Sequence, residues 1–392
     1  MAHWLTACLT NKFVSVSKVN FQIRAVTNKA DSEIFLDVPS RVYRGDHNWV
    51  PPIRSSVAKQ FAPENSFFQY GKLQQFIAVS PSNEPLGRIV AAVNHRLIER
   101  EGKDVGLFGY FECVEDYAIA QALLESARTW LQQQGMAVIR GPIDLSTHNN
   151  CLFLVDGFDS PPMVLMPYNP RYYPEFMQLD GWNKAKDAYA YELPIGAGLA
   201  EEFTKAHRIA CKSGVNFRLI RTKGAAFEED CRNLYNLLNA AYANNWSYTP
   251  RTEEEFLVEA KSLQNLVDPD AFPIAEYEGK MIGCFVGLPD YNMVLKHLGG
   301  KLDWLGTLKF IWYRRQINRG RVALVCALPE YRRKMVAAAL IYLGMQGVLK
   351  EGKPYKDCEL SWVYEDNYPS RKLIEACGAK IYKTYRIYEK AL

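Results

Sequence analysis

The sequence contains no Cys-x-x-Cys pair, and its nine cysteines are scattered singly along 392 residues. An odd, dispersed set argues against a disulfide scaffold or a cysteine-held zinc site. The six histidines show no ligand spacing, so no metal is expected. Charge of one sign is scarce: 47 Lys plus Arg against 43 Asp plus Glu leaves +4. That is too little to call for a nucleic-acid partner, and any basic site has to be local. A bilayer-length apolar run is missing too, so no transmembrane segment is expected. The uncharged stretch Met335–Leu349 would make a helix of about 22 Å, short of the roughly 30 Å apolar layer. Met1–Asn20 lacks the pattern of a secretory signal. What is present, 48% hydrophobic, 13% aromatic and 23% charged residues, describes a globular chain, and the expected location is the reducing cytoplasm.

The chain reads as two copies of one supersecondary plan. Phe76–Val79 leads through a polar turn to Gly87–Val93, and Pro273–Tyr277 leads through Glu278-Gly279-Lys280 to Met281–Val286. Both are strand-turn-strand units. An apolar strand feeding a long helical stretch follows in each copy: Val105–Cys113 with Asp116–Gln134, then Val322–Leu328 with Arg332–Leu349. Each copy continues with an Asn, a short helix and a closing Gly, at Asn169–Gly181 and Asn367–Gly378. The pairs Gly87 and Gly283, Asn169 and Asn367, Gly181 and Gly378 are 196, 198 and 197 residues apart, which points to duplication. Opening strands fall at Phe21–Val26 and Asn216–Arg221, closing strands at Ala188–Leu193 and Lys380–Tyr388. The expected division is 1–195, a linker over 196–215 that carries Gly196 and Gly198, and 216–392. Interleaved strands and helices predict an α/β (α+β) fold, a mixed sheet flanked by helices in each half.

The most informative stretch is the buried strand Val322–Leu328 with Pro329-Glu330-Tyr331-Arg332-Arg333-Lys334-Met335-Val336-Ala337 after it. Free amides and the positive dipole end at a helix start suit a diphosphate. Arg332, Arg333 and Lys334 sit where that anion would lie, and Ala337, Ala338 and Ala339 let the helix pack closely on the sheet. This stretch resembles the donor loop of the GNAT acyltransferase superfamily, Pro-x-Tyr-(Arg/Gln)-x-x-Gly-x-(Gly/Ala). Pro329, Tyr331, Arg332 and Ala337 match, and Met335 stands at the central Gly. Asn367, the helix around Ser370–Glu375 and Gly378 resemble the family's later Asn, helix and Gly. By motif the resemblance covers most of 216–388. Over 21–193 it rests on pattern alone, because Val114–Ala120 has neither the arginines nor the glycines. The first half therefore looks like a degenerate copy without a donor site.

The resemblance implies two GNAT-like halves, each with a mixed, mostly antiparallel sheet, and an N-acyltransferase activity. The acyl group would pass from acetyl-CoA or another acyl-CoA to the amine of a small molecule or peptide by direct attack on the thioester. Cys326, Ala327 and Leu328 would meet the pantetheine and the developing oxyanion with backbone groups. Arg332, Arg333, Lys334, Met335, Val336 and Ala337 would hold the diphosphate, and Asn367 the pantetheine arm. Ile374 stands where many members have a general-acid Tyr, and the donor strand has no carboxylate for a base. Met335 adds bulk where glycine allows close approach, so either the loop opens slightly or the donor is a pantetheine carried by an acyl carrier protein, without the adenosine diphosphate. The Arg-Arg-Lys run would fit that acidic partner. Three further readings stand beside this one: a long-chain N-acyltransferase using acyl-CoA or acyl carrier protein, a non-catalytic acyl-thioester-binding protein, and aminoacyl-tRNA-dependent transfer. The modest net charge counts against the last.

Other candidates follow from polar and aromatic residues in expected loops. Asp290 and Tyr291 are read as proton acceptors and Asn292 as an acceptor contact, although Pro289, Asp290 and Asn292 are also turn formers. His297 has the weaker case of a lone histidine. Trp246 and Tyr248 are placed at the acceptor pocket by the resemblance. His148, Asn149 and Tyr172 suggest a cleft between the halves, with tight loop packing as the plainer explanation. Leu302–Arg315, strongly apolar with a basic end, is expected to be a core-facing amphipathic helix. The alternatives for it are covering a long acyl chain, touching a membrane surface or docking a partner.

Overall fold

The computed structural model describes residues 19–195 and 199–392. Gly196 and Gly198 of the expected linker lie outside the described residues. The first half opens with β1 (Gln22–Ala25), α1 (Lys29–Val42), α2 (Arg54–Lys59), β2 (Gly71–Val79) and β3 (Pro85–Asn94). It continues through α3 (His95–Glu101), β4 (Val105–Cys113), α4 (Tyr117–Gln133) and β5 (Val138–Gly141). β6 (Phe153–Asp156), α5 (Tyr172–Leu179) and β7 (Asn183–Pro194) complete it. α6 (Glu201–Lys212) lies within the expected linker, and the second half then runs through β8 (Asn216–Leu219), α7 (Gly224–Tyr242), α8 (Glu253–Leu263), β9 (Pro273–Tyr277) and β10 (Lys280–Pro289). Next come α9 (Asn292–Leu298), α10 (Trp304–Tyr313), β11 (Arg319–Ala327) and α11 (Val336–Val348). It ends with β12 (Asp357–Tyr364), α12 (Tyr368–Ala376) and β13 (Lys380–Ala391).

Local signals account for most of these boundaries. Asp116 accepts from the Ala118 N–H and starts α4, whose Ile119, Leu123, Ala127 and Leu131 recur at helical spacing and bury one face. Thr252 and Glu255 form a reciprocal capping box at the head of α8. The helix expected from Arg332 begins instead at Val336. Pro329–Lys334 forms a tight 3-10 turn, and Met335, at φ 60° and ψ 26°, separates it from α11. Pro329 favours the turn because it lacks an N–H, and a left-handed residue cannot continue a right-handed helix.

Among the described residues, thirteen strands join in one sheet, in the order β1-β2-β3-β4-β5-β13-β7-β12-β11-β10-β9-β8, with β6 pairing β13 off this path. β4–β5 and β11–β12 are parallel and the remaining pairs antiparallel, so the mixed, mostly antiparallel α/β architecture is as expected. The closing strands are exchanged. β7 of the first half pairs with β12, while β13 of the second pairs with β5, and β7 and β13 pair with each other in the middle. The exchange merges the cores: Tyr364, Tyr385 and Ile387 pack in one buried cluster with Ile77, Leu107 and Leu154. Burial of that shared apolar surface is the main force joining the halves.

Candidate active site

β11 and β12 are in register only from Arg319↔Asp357 to Val322↔Leu360. Beyond that point they part. Residues 324–327 keep their pairing with β10, while the register with β12 ends at Val322↔Leu360. Ala323, Leu324, Val325 and Ala327 are half-buried along the opening, while Cys326 and Leu328 pack into the core. The Leu328 N–H donates to the Ile282 carbonyl at 2.9 Å and fixes the turn that follows. α11 then begins with its first amides free of intrahelical partners, at the positive end of the helix dipole.

The three cations of this turn divide. Arg332 and Arg333 are exposed and, among the described residues, make no ion pair. The Lys334 ammonium instead donates to the Ser213 carbonyl at 2.8 Å and lies 4.2 Å from the centre of the Tyr277 ring, which pins the turn to the end of α6. Met335 is 41% exposed, so its side chain stands out from the turn. Val336 is buried and Ala337 half-buried beneath it. Asn367 is exposed and uses its side-chain oxygen to cap α12, accepting from Ser370 N–H at 3.3 Å. Ile374 is buried in the second-half core.

The first half has the same parting of strands and a different content. β4 and β5 are in register only from Val105↔Val138 to Leu107↔Arg140. A loop running from Pro142 to Leu152 then returns into the gap. Ile143 N–H donates to the Phe108 carbonyl at 2.8 Å, and Asp144 Oδ1 accepts from Tyr110 N–H at 2.6 Å. The approach is close enough to need glycine: a Cβ on Gly109 would sit 2.5 Å from the Ile143 carbonyl oxygen. Burial pushes the Asp144 carboxyl up to about 7, against the opposing Tyr110 N–H and Arg88. The gap is filled by the chain itself.

Asp290 and Tyr291 lie at the far end of β11 from Pro329, beside Arg319, a separation of roughly 25 Å along the strand. Asp290 is 1% exposed. Its carboxylate accepts from Val164 N–H at 2.9 Å and pairs with Arg319 at 3.0 Å. Burial raises it to about 6, with Arg319 opposing. The Tyr291 hydroxyl donates to the Leu266 carbonyl at 3.0 Å, and Asn292 Nδ2 donates to the Pro162 carbonyl at 2.9 Å. Asp290 and Asn292 thus clamp the second half onto the 162–164 segment of the first.

Among the remaining candidates, His148 and Tyr248 meet across the halves. His148 Nε2 is 2.6 Å from the Thr249 carbonyl, and its ring lies edge-on to Tyr248. Burial lowers the imidazole to about 4, so the neutral ring donates there. Asn149 folds back onto the Asp144 carbonyl at 2.7 Å. Trp246 packs edge-on against Tyr364 and under Arg140. A groove of about 480 Å³, lined by Arg96, Glu99, Arg100, Pro250, Arg251 and Thr252, opens near this junction, with no residue of the Pro329–Lys334 turn in its lining. Tyr172 is not part of it: at the start of α5, its hydroxyl donates to the Cys113 carbonyl at 2.8 Å. His297 stacks on Tyr313 at 3.8 Å.

A polar cluster unforeseen from the sequence sits where β11 and β12 part. Arg321 and Glu359 are register partners there, 6% and 1% exposed. Arg321 Nε donates to Ser361 Oγ at 2.8 Å and its Nη1 to the Val164 carbonyl at 2.9 Å. The Ser361 and Tyr382 hydroxyls both donate to the Glu359 carboxylate. Nearby, Lys383 is fully buried, donates to the Ser160 carbonyl at 2.7 Å, and is lowered to about 8 by burial. The available signal was charge at alternate positions, Arg319 and Arg321, in a strand otherwise apolar, with Glu359 between Cys358 and Leu360.

Two parallel strands that part beside a turn and a helix N-terminus, an arrangement present in both halves, are the geometry of a tandem GNAT fold. Residues 231–379 match the model of the acetyltransferase (GNAT) family. The chain is 30% identical over 382 residues to a Caulobacter vibrioides protein named bacterial ceramide synthase, across 96% of this chain and 99% of that one. It is 29% identical over 374 residues to Protein YghO of Escherichia coli K12, across 94% and 95%. The chain belongs to the GNAT family. Among solved structures, a tandem GNAT protein from the clavulanic acid biosynthesis pathway has a TM-score of 0.55 at 11% identity, covering 95% of this chain and 98% of its own. A GCN5-related N-acetyltransferase from Sphaerobacter thermophilus has a TM-score of 0.52 at 14% identity, covering 95% of each. Both are similar in fold.

Proposed function

We propose that the protein transfers a long acyl chain from acyl-CoA to the amine of a lipid-like amino alcohol, with the donor bound in the second half, residues 216–392. The observation that carries this reading is the open gap between β11 and β12, flanked by the unpaired Arg332 and Arg333 and the free amides of α11. The acceptor class draws on the relative named bacterial ceramide synthase, matched over nearly the full length of both chains. Ceramide formation is, as chemistry, N-acylation of a long-chain amino alcohol.

The geometry supplies the parts such a transfer needs. The diphosphate would meet Arg332, Arg333 and the α11 amides by charge-assisted hydrogen bonds. The pantetheine would lie along residues 323–327, whose backbone on the side away from β10 would take up its amides as a neighbouring strand would. The neutral amine adds to the thioester carbonyl, the C–S bond breaks, and the proton lost by nitrogen ends on the departing thiolate. With a thiol pKa of about 8.5, that sulfur leaves without a strong acid, which fits Ile374 in place of a tyrosine. Glu359, a buried carboxylate held by Ser361 and Tyr382 beside the point where the strands part, is assigned to positioning the amine.

The test is thiol release by the full chain from palmitoyl-CoA and acetyl-CoA, each with a long-chain amino alcohol and with a short amine. The reading requires faster release with palmitoyl-CoA and the long-chain amine together. Thioester binding without amine-dependent release would favour a binding protein instead. Release from acyl carrier protein but not from CoA would move the donor to the carrier.

A further inference from the structure

α10 contradicts the core-facing expectation. Trp304, Leu308 and Trp312 are 71%, 57% and 66% exposed, and Leu305 and Ile311 are about half exposed. These five recur at i, i+1, i+4, i+7 and i+8, one arc of about 120° on the helix surface. The opposite side is firmly seated: Phe310 stacks on Tyr291 with centroids 5.7 Å apart, and Tyr313 stacks on His297. The apolar arc is therefore held outward by packing. Lys301, Lys309, Arg314 and Arg315 surround it, all exposed, and none makes an ion pair among the described residues. The one acidic residue between 301 and 316, Asp303, is engaged in capping α10 through the Gly306 N–H at 2.8 Å.

We propose that α10 is a membrane-surface helix that lies in the headgroup layer of an anionic bilayer. Ten residues span about 15 Å, far too short to cross but suited to lying flat. Tryptophan at both ends of the arc favours the apolar–water boundary, and the four cations complement anionic headgroups. A symmetric dimer through the same face would press these cations against their own copies, which disfavours a second copy as the occupant. The placement also divides the traffic. α10 leads into the Arg319 end of β11, opposite the cationic turn at Pro329, so a lipid could enter from the bilayer while a water-borne thioester enters from solvent.

The experiment is co-sedimentation of the full chain with vesicles of phosphatidylcholine alone and with about one-third phosphatidylglycerol. Binding to the mixed vesicles, weakened by salt, is expected. Trp304→Ser with Trp312→Ser should reduce it about tenfold or more. Arg314→Glu with Arg315→Glu should abolish the preference for anionic vesicles, about fivefold for each cation removed. Circular dichroism and CoA affinity of these surface variants should match the parent, which separates this result from the donor reading because no thioester is present in the sedimentation. Three outcomes would overturn the proposal: no binding to anionic vesicles, equal binding by the tryptophan variant, or a dimer in light scattering that the tryptophan changes dissolve.

Discussion

The two halves part their central parallel strands in the same way, after Leu107↔Arg140 in one and after Val322↔Leu360 in the other, and then differ in what meets the exposed backbone. In the first, the chain supplies its own partner, with Ile143 bonded to Phe108 and Asp144 to Tyr110. In the second, the edge stays open beside Arg332 and Arg333, which make no ion pair among the described residues. Unpaired backbone needs a partner; in the first half the chain itself supplies it, and on the proposed reading a ligand supplies it in the second. On that reading a duplicated fold gives one structural half and one binding half.

The comparison breaks first if the cations are not the grip. Arg332→Ala with Arg333→Ala should weaken CoA binding about 10- to 100-fold by calorimetry. Glu115→Ala in the corresponding turn of the first half should change it less than about twofold. Equal effects would erase the distinction between the halves. Next in size, Asp144→Ala should cost about 1–3 kcal/mol in urea unfolding, because it leaves the Tyr110 N–H without its acceptor, and should create no second CoA site. Asp144→Asn, which keeps an acceptor, should cost less. The folded carboxyl titrates near 7, above its ordinary 3.8, so its contribution is complete below about 3.8 and fades as the pH climbs through 7. The Asn variant should therefore gain on wild type over that rise, read as a difference in Tm.

His148 should show the opposite slope. Its folded value is near 4 against an ordinary 6.5, so the stability it lends is present above 6.5 and lost as the pH falls toward 4. His148→Asn should flatten that part of the acid-side fall in Tm between pH 6.5 and 4. The smallest effect is expected at Met335→Gly. Relief of the left-handed strain, offset by the greater freedom of glycine in the unfolded chain, leaves a net gain of about 0.5 kcal/mol. CoA affinity should be unchanged or tighter by calorimetry.

Much of this was legible from residue patterns. β4 was expected over its observed span Val105–Cys113, and α4 within one residue at each end, because β4 is a largely apolar run and α4 follows a capping Asp116 with apolar residues at helical spacing. The turn after β11 was legible because Pro329, Tyr331 and Arg332 are local and chemically distinctive. Lys334 was not separable from its neighbours, since its partner Ser213 lies 121 residues away. The role of Asp290 as a clamp and the Arg321–Glu359 cluster were hidden for the same reason: their surroundings come from residues 160–164 and from β13. α10 looked like a core helix because periodicity reports an apolar face and is silent on whether anything covers it.

By itself the sequence determined the strands and helices, the duplication, the cationic turn and the family resemblance, all of which rest on residues close together in the chain or on a repeat within it. Only the tertiary structure decided which closing strand completes which half, which of the two gaps stays open, and that the face of α10 meets solvent. β7 and β13 are both twelve-residue strands that could each pair on either side, so their order in the sheet follows from long-range packing. A local pattern specifies that a surface or an edge needs a partner, and only the assembled chain specifies which partner it finds.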